Sequence, residues 1–118
     1  MAKRILIIED DPDILEILDI VFQDEGYDII SSRNGMSADE IEIVHPDLVL
    51  LDVRISGFEK TGAQICEELK ALTNSLPVLL LSAESNLNHI ATQCGADGHM
   101  TKPFEIAGLV KKVVEMIK

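Results

Sequence analysis

The side chains with chemistry to offer are few and widely spaced. Glu9-Asp10, Asp52 and Ser82 each follow directly on a run of four aliphatic residues, and Lys102 comes two residues after the short stretch Gly98-His99-Met100. Asp10 and Asp52 are 42 positions apart, and Asp52 and Lys102 are 50 apart, so only the fold can unite them. An acid after a strand is usually a helix cap or a solvated loop residue. Asp11, directly before Pro12, fits that role; with the capping position taken, Glu9 and Asp10 do not, and no helix start follows Asp52 immediately. Three carboxylates held together repel unless protonated or neutralised, and a hard divalent cation with oxygen ligands answers that need, Mg2+ best of all. An Asp carboxylate beside such an ion can attack phosphorus to give an aspartyl phosphate. Lys102 would then pair with one phosphoryl oxygen and the Ser82 hydroxyl would hydrogen-bond another.

The elements that must position these groups are legible in the hydrophobic pattern. Ile5-Leu6-Ile7-Ile8, Leu48-Val49-Leu50-Leu51 and Val78-Leu79-Leu80-Leu81 lack in/out alternation, as strands covered on both faces by helices do. Tyr27 to Ser31 and Gly98 to Met100 read as weaker edge strands. Between them lie helix-period sets: Ile14, Leu15, Leu18, Val21 and Phe22; Ile65, Cys66, Leu69 and Leu72; Leu87, Ile90, Ala91 and Cys94; Ile106, Leu109, Val110, Val113 and Ile117. Asp11-Pro12-Asp13 and the Ser37/Glu40 capping box start helices, and Gly26 and Gly95 stop them. The pattern predicts a doubly wound α/β fold with five strands and five helices, which binds ligands beyond the carboxyl ends of its strands.

Composition narrows the partners. The 118 residues carry 10 Lys+Arg against 21 Asp+Glu, a net charge of −11, with 47% hydrophobic residues. Such a chain has ample apolar surface to fold as one domain. Its acidity argues against direct nucleic-acid binding and against an anionic membrane surface. No apolar run reaches the length of a membrane span or a signal-peptide core, so the expected location is cytoplasmic. Cys66 and Cys94 lack metal-ligand spacing and fall on apolar stripes, which makes them small buried hydrophobes. His45 and His89 suggest only surface positions.

Ile5 to Asp11, Leu48 to Asp52, Leu80 to Ala83, Gly95 to Gly98 and Thr101-Lys102-Pro103-Phe104 together resemble, in order and along essentially the whole chain, the receiver domain of bacterial two-component response regulators. The resemblance implies a flavodoxin-like (CheY-like) sheet of order 2-1-3-4-5 and one receiver domain over residues 1–118, with no output domain attached. It implies Asp52 as phosphoacceptor from a sensor histidine kinase or phosphotransfer protein. Asp10 would be a direct Mg2+ ligand, Glu9 a second acid acting through water, and the backbone carbonyl of Arg54 a further ligand. Ser82 would be the hydroxyl that moves toward the phosphate, Lys102 the phosphate-binding lysine, and Lys102-Pro103 a cis peptide. Such a domain is a phosphorylation-dependent switch for a downstream protein, catalysing only its own phosphotransfer and dephosphorylation.

Two departures stand out. The family usually has a proline, then Gly-x-x-Gly, after the acceptor; here Ser56 takes the proline position, and the loop Ile55 to Gly62 is about two residues longer. His99, three before Lys102, stands where the family typically has Tyr or Phe, which makes it the expected switch partner of Ser82. Two rival readings follow: a degenerate receiver serving as a phosphorylation-independent adaptor, and an Asp-based phosphatase of the haloacid-dehalogenase type. The phosphatase motif DxD lacks its second acid in Asp52-Val53-Arg54.

Overall fold

The three aliphatic runs form the middle of a parallel sheet in a computed structural model that describes residues 2–117. Met1, and Lys118 at the expected end of the last helix, lie outside the described residues. Strands β1 (Arg4–Ile8), β2 (Asp28–Ser32), β3 (Leu48–Asp52), β4 (Val78–Ser82) and β5 (Gly98–Thr101) lie in the order β2-β1-β3-β4-β5. This is the order that the resemblance implies, and every neighbouring pair is parallel. All five residues of β3 and of β4 are buried, which is why neither alternates.

Helices α1 (Pro12–Asp24), α2 (Ala38–Val44), α3 (Gly62–Leu72), α4 (Leu87–Cys94) and α5 (Ile106–Met116) fill the connections. They divide the core in two. Leu6, Ile8, Val49, Leu51, Val78 and Leu80 pack on the face of α2, α3 and α4, whereas Ile5, Ile7, Leu48, Leu50, Leu79 and Leu81 pack against α1 and α5. Adjacent strand residues therefore serve opposite cores, as the period-two geometry of a strand demands.

The caps hold as expected. The Asp11 carboxylate accepts from the N–H groups of Asp13 and Ile14, and Ser37 and Glu40 cap each other reciprocally. Gly26 (φ 94°) and Gly95 (φ 79°) take the left-handed conformation that ends a helix. A second capping box, Thr61 with Gln64, starts α3 and is additional to the expected set.

Several expectations need correction. Leu72 and Ile106 are on the surface, at 49% and 37% exposure, because each is a terminal residue of its helix; Leu76 of the loop after α3 enters the core instead. Strand β2 begins one residue later than expected, since the Tyr27 ring turns onto Phe22, 6.1 Å between centroids. The fourth helix starts at Leu87, as its period implies, after a turn in which the Glu84 N–H donates to Ser82 Oγ. Cys66 and Cys94 are buried between α3 and α4, where burial, with Cys94 beside it, pushes the Cys66 thiol up and keeps it an inert hydrophobe. His45 and His89 are exposed.

Candidate functional site

Parallel strands in register end at one level, and the sheet uses this to collect its polar groups. Ile8 pairs with Leu51, Asp52 with Leu81 and Ser82 with Thr101, so Glu9, Asp52, Ser82 and Lys102 all emerge at the same rim. One carboxylate oxygen from each of Glu9, Asp10 and Asp52 lies within 4.8 Å of the others. Lys102 reaches back between two of them, donating to Glu9 Oε1 at 2.6 Å and to Asp52 Oδ2 at 3.3 Å. Asp10, Asp52, Ser82 and Lys102 line an open cleft of about 440 Å3. All five expected side chains are thus brought together.

Burial sets their electrostatics. Glu9 is fully buried, Asp52 is 5% exposed and Ser82 3% exposed, in a rim otherwise made of aliphatic strand ends. Burial, with Glu9 beside it, pushes the Asp52 carboxyl up to about 7, against the pull of Lys102. Partial burial would also raise Asp10, but its hydrogen bonds with Ser56 win and hold it down at about 2. Burial would lower Lys102, yet its bond to Glu9 and the charges of both acids hold it above its ordinary value. The arrangement is short of positive charge, and its donors are all oxygens. That donor set fits a hard divalent cation and not a soft one.

The sign of the Asp52 shift gives a prediction. A carboxyl raised in the folded state binds its proton more tightly there than in the unfolded chain, so in metal-free buffer stability falls as pH rises from about 4 to about 7. Asp52→Asn removes this loss and should be more stable than the unmodified protein by about 2 kcal/mol at pH 8, with the gap closing toward pH 4. Urea unfolding across that range checks it; parallel pH profiles would contradict it.

The mouth of the cleft holds contacts that the sequence did not single out. The Arg54 guanidinium pairs with Glu84 across the opening, joining the loop after β3 to the loop after β4. The backbone N–H of Arg54 donates to Asp52 Oδ1 at 3.3 Å and that of Ser56 to Asp10 Oδ2 at 3.0 Å. Arg54, Ser56 and Glu84 lie in loops beyond the strand ends, so no local signal marks these contacts. His99 is half-buried on β5 beside Leu80, outside the cleft lining. The Lys102-Pro103 peptide is cis, as the resemblance implies.

Comparison with known proteins agrees with this geometry. The response regulator receiver domain model matches residues 5–114. The DNA-binding response regulator MtrA of Mycolicibacterium smegmatis is 34% identical over 116 residues, 96% of this chain; the chain spans half the length of that curated relative. Among solved structures, the chemotaxis protein CheY4 of Vibrio cholerae superposes with a TM-score of 0.86 at 21% identity, covering 98% of this chain and 99% of that one. The response regulator TrrA of Thermotoga maritima, solved in complex with Mg2+-BeF, gives a TM-score of 0.81 at 30% identity over 97% and 98% of the two chains. On the match over residues 5–114 and the relatives that share it, the chain belongs to the response regulator receiver domain family.

Proposed function

We propose that the domain is a phosphorylation-dependent switch. Asp52 accepts a phosphoryl group from the phosphohistidine of a sensor histidine kinase or phosphotransfer protein, and a partner-binding face then changes. The observation that carries this reading is the buried Asp52 carboxylate, held among oxygen ligands with Lys102 and Ser82 within the same cleft. Glu9, Asp10, Asp52 and the backbone carbonyl of Arg54 would hold Mg2+, which would offset charge on the incoming phosphoryl group. The Mg2+-BeF complex of TrrA supports that assignment.

The chain's own residues do the rest. An Asp52 oxygen forms the bond to phosphorus as the P–N bond breaks, its electron pair returning to the donor imidazole. The Lys102 ammonium, already 3.3 Å from Asp52 Oδ2, pairs with a phosphoryl oxygen. Ser82 Oγ, which accepts from the Glu84 N–H at 3.0 Å, donates its own proton to another. Moving that hydroxyl toward the phosphate releases Glu84 and the turn that leads into α4, which couples the site to the face of α4, β5 and α5. His99 on β5 takes the place of the family's aromatic in that response. The chemistry stays on the domain itself, which acts on no external substrate.

Among the described residues no helix is long and apolar enough to cross a membrane. The acidic surface favours protein partners over nucleic acid for this domain, in the cytoplasm. A small-molecule phosphodonor with Mg2+ should add one phosphoryl group, read as an intact-mass shift. No shift would overturn the reading in favour of a phosphorylation-independent adaptor.

A further inference from the structure

The lengthened loop after β3 is anchored in a specific way. Phe58 lies with its ring directly over Gly35, where a Cβ at position 35 would stand 2.3 Å from both Cγ and Cδ2 of the ring. The same ring packs with Met36 against the core on the α2, α3 and α4 face. Gly35 is needed for this approach and not for its backbone angle, since its φ is outside the left-handed region. Two residues before Phe58, the Ser56 N–H donates to Asp10 Oδ2 at 3.0 Å, a bond that a proline at position 56 could not make. Gly57 between them is left-handed at φ 79°, so the chain doubles back and one anchor sets the position of the other.

We infer that Phe58 is a positioning residue for the metal site: seated on Gly35, it holds the Ser56 N–H on Asp10 and so keeps that carboxylate aimed at Glu9 and Asp52. The inference rests on the Mg2+ assignment above. A hydrogen bond to one oxygen of a ligating carboxylate fixes its orientation and offsets its repulsion from the other two acids. Losing such a support weakens metal affinity by about tenfold.

Calorimetric titration with Mg2+ alone, on the unmodified chain and on Phe58→Ala, Gly35→Ala and the double variant, tests this. Both single changes empty the same seat, so each should weaken Mg2+ about tenfold and the pair should weaken it no further. Amide exchange at Ser56 should speed up in all three. Phe58→Leu, which keeps an apolar side chain in the seat, should recover most of the affinity and guards against a variant that fails to fold. Unchanged Mg2+ affinity in folded Phe58→Ala and Gly35→Ala would overturn the inference, as would additive losses in the double variant. Absence of Mg2+ binding by the unmodified chain would instead bring down the metal assignment, and the inference with it.

Discussion

Replacing Lys102 with Ala is expected to lower the stability of the metal-free protein by about 3 kcal/mol at pH 8, the lower range for stripping one partner from a buried ion pair. The ammonium is the one cation in contact with Glu9 and Asp52 among the described residues, 2.6 Å and 3.3 Å away, and its own side chain is 18% exposed. Removing it leaves a fully buried carboxylate beside a nearly buried one, with no charge to offset either. Mg2+ supplies the same positive charge, so it should restore much of the lost stability. Urea unfolding of both proteins with and without Mg2+ provides the comparison. A loss below about 1 kcal/mol, the size of an exposed pair, would show that Lys102 does not neutralise the site. A loss that Mg2+ does not repair would show that the cation binds elsewhere.

Gly62→Ala should be destabilising by about 3 kcal/mol, the upper end for overpacking a well-filled interior. At most positions inside a helix the same change is favourable by about 1 kcal/mol, so the sign itself is diagnostic. Gly62 opens α3 and is buried against the end of β3, its N–H donating to Val53 O at 2.7 Å. A Cβ there would stand 2.1 Å from the Asp52 carbonyl oxygen and 2.9 Å from Val53 Cα, both backbone atoms at the end of β3. The methyl forces the start of α3 and the Asp52–Val53 backbone apart, so phosphoryl incorporation should slow as stability falls. Thermal unfolding of the variant reads the first effect and the time course of the mass shift the second. A neutral or stabilised variant would contradict the packing described.

Much of this was legible because the fold writes its site at strand ends. Four aliphatics in a row mark a buried parallel strand, and the next polar residue is then delivered to the rim; Asp52 and Ser82 follow that rule directly. Lys102 rests on the weaker β5, whose residues are only half-buried or exposed, and stands two residues past Gly98-His99-Met100; the resemblance of Thr101-Lys102-Pro103 adds to that reading. What escaped depends on contacts between loops. The pairing of Arg54 with Glu84, the Ser56 N–H on Asp10 and the seat of Phe58 on Gly35 join positions 23 to 46 residues apart with no periodic signature. In sequence Ser56 is a missing proline; in the fold its N–H holds Asp10. Leu72 and Ile106 fit the helical period yet stay on the surface, because periodicity fixes the side of a helix but not where the helix overruns its core.

A switch of this kind requires that phosphorus be received at one residue. The direct measurement is borohydride trapping after treatment with Mg2+ and a small-molecule phosphodonor, which reduces an aspartyl phosphate to homoserine and so marks the acceptor, followed by peptide sequencing. Homoserine is expected at position 52 alone, dependent on Mg2+ and absent from Asp52→Asn. Homoserine at Asp10, a phosphoryl group on His99, or modification that persists in Asp52→Asn would contradict it.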